Sequence, residues 1–483
     1  MKICIIAEGC YPYAVGGVSS WIHSMVKEFP NVEFILLALI ANRSQSGAFK
    51  YELPENLTQV YEVYLDDLDW DADDSNNSKT KLSKKEYDAL YSLIFNENVD
   101  WETLFSMFSR KNVNVNNLLM GPEFLRAALA YYEAYYDNVT FSDFLWTLRS
   151  IYLPMFTILK TTIPEADLYH CVSTGYAGIL GCMGKYFHQG KLLISEHGIY
   201  TREREEELIK ADWIGNTYRS IWIQQFRKMS KAAYDRADMV TSLYEYARQL
   251  QRELGCPIEK TMITPNGISV EKMANIPGKK EEDRAYINIG AVLRVAPIKD
   301  VKTLIQAYMQ AIQQRDNLKL WIMGPMDEDR DYAEECFQMV SACNVKDVIF
   351  TDRIDVTQYL GRMDMTILTS ISEGQPLTVL EGFAAHKPAI CTDVGCCREL
   401  IYGNNDGCGI AGILTHIMDV DEIANAILTL ADDPNLRRQM GENGYKRVMS
   451  LYHINDMKAK YLNIYHDFCT DVGKDWPTEK FKI

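Results

Sequence analysis

"KICIIAEGCYPYAVGGVSSWIHSMVKEFPNVEFILLALI", residues 2–40, decides the fold. Residues 2–9 form a short apolar run that ends on glycine and opens into a glycine-rich loop. That is the pattern of a strand buried on both faces of a parallel sheet. Residues 18–29 then carry apolar side chains at helical period, and 32–40 return to a continuous apolar run. The unit is β-α-β. Further strand-like runs follow at 59–65, 167–174, 191–197, 238–243 and 260–265, most of them separated by helical segments. Alternation of this kind predicts a doubly wound α/β domain with helices on both faces of the sheet.

The alternation breaks between residues 66 and 165. A polar stretch containing DWDADD is followed by aromatic helical segments such as "FLRAALAYYEAYY" and "FSDFLWTLRSIYLPMFTILK". This reads as a helical insertion into the first domain. The Asp-x-Asp pairs of DWDADD have the form of metal ligands, but the surrounding polar residues favour a solvated loop. Residues 265–284 have the composition of a linker, turn residues first and then charges. A second series of strands follows at 286–292, 318–324, 347–352, 365–370 and 388–393, with helices between them. The expected organisation is an N-terminal domain over 1–280, a C-terminal domain over 281–455, and a helical tail over 456–483 returning to the N-terminal domain. One long helix is expected near 419–452.

The 483 residues suffice for two such domains, and 50 basic against 66 acidic residues leave a net charge of −16. That balance disfavours nucleic acid and anionic lipid as partners. The twelve cysteines contain no CxxC pair and no zinc spacing. With no secretory signal read at the start, a reducing cytoplasm is expected. The seven-residue run 34–40 is far below the roughly 20 residues that span a bilayer. Membrane association would therefore come through a partner.

Chemistry concentrates in "SEGQPLTVLEGFAAHKPAICTDVG", residues 372–395. A buried strand ends at 370, a loop carries Glu373, and Pro376 suits the first turn of the helix that follows. Ligands of open α/β sheets bind at such strand ends. The free amides of Leu377 and Thr378 suit an anion. Glu373 and Glu381, one before the helix and one inside it, suit hydroxyls. A sugar nucleotide offers hydroxyls at both ends and a diphosphate between them; two solvated glutamates on a capped loop is the other reading. Arg294 and Lys299, just past a strand end, suit a diphosphate or form ordinary surface charge. Gly16-Gly17 at a helix N-terminus admits close backbone approach. His197, past another strand end, suits a sugar hydroxyl or a structural role.

Together Gly16-Gly17, His197, Pro265-Asn266-Gly267, Arg294 with Lys299, and Glu373 with seven residues before Glu381 resemble the retaining glycosyltransferases of family 4. Those enzymes have the GT-B fold, two Rossmann-like domains facing across a cleft. The stretches "AEGCYPYAVGGVSSW", "FSDFLWTLRSIYLPMF", "SEHGIYTRERE" and "DVGCCREL" carry a narrower resemblance, to the glycosyltransferases of Pel exopolysaccharide synthesis.

The resemblance implies transfer of a hexosyl group from a UDP-sugar, UDP-glucose or a UDP-N-acetylhexosamine, to a growing polysaccharide. Work beside an inner-membrane synthesis complex is implied as well. It implies that Arg294 and Lys299 stabilise the departing UDP, that Glu381 holds the ribose, and that Glu373 with the loop Gly374-Gln375 holds the donor sugar. His197 would touch the far side of that sugar, and Arg353 and Ile354 would line the base. No metal and no further cofactor are implied. Two alternatives stay open: a GT-B sugar-nucleotide epimerase, for which no acid/base set can be placed, and a noncatalytic nucleotide-sugar-binding component of a secretion complex.

Overall fold

The computed structural model describes residues 1–65, 81–95, 98–111, 113–211, 215–273 and 275–477. The DWDADD loop lies outside them. The chain divides into two compact units, Met1–Ser242 with Ala247–Ile263 and Leu462–Ile483, and Leu243–Tyr246 with Thr264–Tyr461.

Unit 1 holds a seven-stranded sheet. Its strands are β1 (Lys2–Glu8), β2 (Glu33–Ile40), β3 (Leu57–Tyr64), β4 (Leu168–Cys171), β5 (Lys191–Glu196), β6 (Met239–Ser242) and β7 (Thr261–Ile263). They lie in the order β3-β2-β1-β4-β5-β6-β7, and each recorded pairing is parallel. Residues 3–7 of β1 are all buried, as a strand covered on both faces requires. Between β3 and β4 the insertion forms helices Lys84–Phe95, Trp101–Arg110, Val115–Leu119, Pro122–Tyr135 and Phe141–Leu159. They are not a satellite. Leu90, Phe105, Phe124 and Phe156 share one apolar core with Cys4, Ile6 and Leu37 of the sheet. The apolar side chains of the insertion thus serve the same burial that holds the sheet together.

Unit 2 holds a six-stranded sheet. Its strands are β8 (Ile287–Val292), β9 (Leu318–Met323), β10 (Val348–Phe350), β11 (Met365–Leu368), β12 (Ala389–Thr392) and β13 (Gly412–Thr415). The order is β10-β9-β8-β11-β12-β13, again with each recorded pairing parallel. Two doubly wound Rossmann-like units are therefore present.

Two local expectations need correction. The stretch 265–284 is no free linker: its charges are used inside unit 2. Lys279 Nζ lies 2.7 Å from Asp364 Oδ2, and Arg362 donates through Nε to the buried Asp283 at 2.9 Å. The helix expected over 419–452 is two helices, Val420–Asp432 and Pro434–Leu451. Pro434 lacks the N–H that continuation would need, and the Asp433 carboxylate caps the second helix through Asn435 N and Leu436 N, each at 2.9 Å.

Candidate functional site

In unit 2 the strand order reverses at β8, whose neighbours are β9 and β11. The loops after β8 and β11 therefore flank the topological switch point, where open α/β sheets bind ligands. The first carries Arg294 and Lys299, the second Glu373 to Thr378.

The two loops are joined. Lys299 Nζ lies 2.5 Å from Glu373 Oε1, and Ser370 Oγ donates to the same oxygen at 2.6 Å. The pair is largely enclosed, with 15% and 12% of the two side chains exposed. Thr369 Oγ1 donates to the carbonyls of Lys299 and Asp300 at 3.1 and 3.2 Å, and Ile371 N donates to Ile298 O at 2.9 Å. Charge, hydroxyl and backbone contacts thus hold both loops in one arrangement. From the far side comes the turn after β12. Gly395 has φ +54°, and a Cβ there would stand 2.3 Å from Glu373 O and 2.4 Å from Gly374 O. Only glycine admits that approach.

Helix Leu377–Ala384 begins directly after the Glu373 loop, with Pro376 at its N-cap rather than in its first turn. Its first amides have no intrahelical partner, so Leu377 and Thr378 present N–H groups at the switch point. Glu381 follows one turn later, half-buried. Burial raises its carboxyl pKa, with Lys272 acting against the shift. Gln375, 8% exposed, turns to the chain instead: Oε1 accepts from Asn266 N at 2.7 Å and Nε2 donates to Asn266 O at 3.4 Å.

The remaining expected residues of unit 2 make other contacts. Arg294 is half exposed and paired with Glu328. Arg353 is exposed and Ile354 partly buried, on the loop after the edge strand β10. The Ile354 side chain packs beside Trp321, Met323 and Met363. One set of potential metal ligands occurs among the described residues, His416, Asp419 and Glu422, with ligand atoms within 4.8 Å of one another. Its geometry is that of a helix cap: Asp419 accepts from Glu422 N at 2.9 Å and Glu422 accepts from His416 N at 2.8 Å.

Unit 1 has its own switch point at β1, between β2 and β4. A cavity of about 420 Å³ opens there, with Glu8, Ser173, His197, Glu203 and Arg204 among its lining. Burial lowers the His197 pKa to about 4 and raises both the Glu8 and the Glu203 carboxyls, with Arg204 acting against both shifts. His197 packs edge-on against Trp21, ring centroids 4.5 Å apart. Gly16 and Gly17 are exposed, with open space where a Cβ would stand. Glu8, Glu203 and Arg204 were not expected here. Glu8 is the last residue of β1, so strand-end placement signals it. Glu203 and Arg204 lie in "TRERE", a run that reads as a solvated helix face.

Residues 1–259, more than half of the chain, match the model of a family described as a domain of unknown function, DUF3492. The chain belongs to that family. In this DUF3492 chain, residues 269–447 match a second model, glycosyl transferases group 1. Among curated relatives it is similar to the N-acetyl-alpha-D-glucosaminyl L-malate synthase of Bacillus anthracis. The two are 29% identical over 198 residues, which are 40% of this chain and 48% of that protein. It is also similar to the MMP alpha-(1->4)-mannosyltransferase of Mycolicibacterium hassiacum, 21% identical over 57% of this chain and 64% of that one. The chain thus spans less than two thirds of either relative.

Among solved structures, HepE of Anabaena in complex with UDP superposes with a TM-score of 0.62 at 15% identity, covering 97% of this chain and 100% of that one. Sucrose-phosphate synthase from Thermosynechococcus elongatus gives 0.61 at 16%, covering 97% and 99%. At these identities the likeness is one of fold, and the fold is GT-B. No helix among the described residues is long and apolar enough to cross a membrane.

Proposed function

We propose that this protein is a retaining glycosyltransferase of family 4, akin to PelF. It would transfer a hexosyl group from a UDP-sugar, UDP-glucose or a UDP-N-acetylhexosamine, to a growing exopolysaccharide such as Pel. The observation that carries the reading is the Lys299–Glu373 pair at the switch point of unit 2, 2.5 Å apart and enclosed. Helix Leu377–Ala384, with its free first amides, begins directly after the loop that carries Glu373. A cation and helix amides meet charge that develops on a departing diphosphate, and a fixed carboxylate meets sugar hydroxyls. The group 1 match over 269–447 and the likeness to a fold solved with UDP support the same reading.

In this mechanism Lys299 and the amides of Leu377 and Thr378 stabilise UDP as the glycosidic bond breaks. Arg294 adds longer-range positive charge, Glu381 accepts from the ribose hydroxyls and Glu373 from the sugar. Neither glutamate serves as a covalent nucleophile, and no metal takes part. The test is UDP release from each UDP-sugar in the presence of a polysaccharide acceptor, with and without EDTA. One UDP-sugar should be consumed, and chelation should leave the rate unchanged. Lys299→Ala should lower turnover about 30- to 1000-fold, the effect of losing roughly 2–4 kcal/mol of transition-state stabilisation. Loss of activity in EDTA restored by manganese, or normal turnover in Lys299→Ala, would contradict the mechanism.

A further inference from the structure

Three consecutive residues of the loop after β11 are each held by another part of unit 2. Glu373 is held by Lys299 of the loop after β8. Gly374 O accepts from Cys396 N, in the turn after β12, at 2.9 Å. Gln375 reaches the backbone of Asn266. That residue lies where the chain enters unit 2, which takes over from unit 1 at Thr264. The entry segment is itself fixed. Ile268 N donates to Tyr452 O at 2.9 Å and Ile454 N to Ile268 O at 3.0 Å. A Cβ on Gly267 would stand 2.6 Å from Ile454 Cα, so two backbones pack there with no room for a side chain.

The Gln375 amide pairs with Asn266 as a neighbouring strand would. Oε1 accepts from Asn266 N at 2.7 Å, and Nε2 donates to Asn266 O at 3.4 Å. Gln375 is buried, so water is poorly placed to take over these bonds. The Asn266 side chain has no share in them: its Oδ1 is without a hydrogen-bond partner among the described residues. The tie is therefore to backbone, and it needs a side chain that both donates and accepts at that reach, which glutamine does. Both ends of the amide are engaged on the chain itself.

We infer that Gln375 is a positioning residue. By pairing with the Asn266 backbone it registers the loop Glu373–Gln375 against the segment by which the chain enters unit 2. Resting on the glycosyl transfer proposed above, it acts on turnover through Glu373 and not by touching the donor.

The test uses the full chain, assayed well below its melting temperature. Pro376 confines the backbone of residue 375 to extended conformations whatever its side chain, so substitution there alters these bonds and not the turn. Gln375→Met keeps the length and removes both bonds. Amide hydrogen exchange at Asn266 should then speed up about tenfold or more. With UDP-sugar and acceptor, kcat should fall about tenfold or more, the scale of a misplaced catalytic group, with KM within about threefold of wild type. Free UDP should bind as in wild type, because helix Leu377–Ala384 is held by its own buried Val379, Leu380 and Phe383. Gln375→Glu is the rescue. Its protonated carboxyl both accepts and donates, so its turnover relative to wild type should rise as pH falls, a response that Gln375→Met lacks. Unchanged exchange at Asn266 in Gln375→Met would overturn the tie. Normal kcat, a loss confined to KM as direct donor contact would give, or a Gln375→Glu ratio flat with pH would overturn the positioning role. A wild type that turns over no UDP-sugar would sink the transfer reading and the positioning role with it. Faster exchange in Gln375→Met would still establish the tie, so the two failures are told apart.

Discussion

Glu373 and Glu381 are separated by seven residues but occupy different environments. Glu373 is held by Lys299 and Ser370. Glu381 sits within the helix, its carboxyl pKa raised by burial. If Glu381 takes the ribose, Glu381→Gln should weaken free UDP by roughly 1–3 kcal/mol. Glu373→Gln should bind UDP nearly as wild type, because UDP lacks the sugar, and still lose turnover on the intact donor. Calorimetry with UDP beside a turnover assay checks both, and an equal loss of UDP affinity in the two variants would show that the roles are not divided. At this scale the sequence was legible where a residue followed a strand end. Lys299, Glu373 and His197 are picked out by that placement. Arg294 and Gln375 followed the same rule, yet the first turns to Glu328 and the second to the Asn266 backbone. Sequence spacing locates a side chain's Cα and leaves its partner to rotamer and packing.

Among elements, the turn after β12 and the end of β5 carry the sharpest consequences. Gly395 combines a left-handed φ of +54° with close approach to two backbone carbonyls. Gly395→Ala should therefore cost about 2 kcal/mol or more. Because the displaced carbonyls belong to Glu373 and Gly374, turnover should fall further than thermal stability alone accounts for. Assays well below the melting temperature separate the two, and normal turnover there would deny the turn a positioning role. Glu196, at the end of β5 and 3% exposed, accepts from Tyr234, Gln251 and Thr174 at 2.7, 2.9 and 3.2 Å. Burial nevertheless raises its pKa to about 7. The folded state thus holds a proton that the unfolded state releases between pH 4.5 and 7, and stability from this group falls as pH rises through that window. Relative to Glu196→Gln, the wild type should gain up to ~3 kcal/mol between pH 8 and pH 5, read from denaturant melts. The strands themselves were legible because buried parallel strands are continuous apolar runs. The split at Pro434 was passed over because apolar periodicity continues on both sides of it.

For the whole molecule, the two sheets could be read from one alternation repeated twice, while the division between units could not. Composition marks 265–284 as polar, but its charges find partners only once Asp364 and Arg362 have been brought beside them. Residues 462–483 group with unit 1 although unit 2 precedes them in the chain, and the sequence reading has a tail over 456–483 returning to the N-terminal domain. Tyr465 anchors them. It is fully buried, its hydroxyl lies 2.8 Å from His170 Nδ1, and its ring packs edge-on against Phe29 with centroids 5.3 Å apart. His170 is held at its other nitrogen by Ser195 Oγ, also at 2.8 Å. Tyr465→Phe removes the hydroxyl and should destabilise by about 1–2 kcal/mol. Tyr465→Ala also opens a cavity and should cost roughly 3–5 kcal/mol. The proposed UDP residues lie in unit 2, so Tyr465→Phe should bind UDP as wild type while its denaturant midpoint drops. Melts followed by tryptophan fluorescence, with UDP calorimetry on the folded variant, make the comparison. An unchanged midpoint in Tyr465→Ala would mean that the returning segment contributes nothing to unit 1.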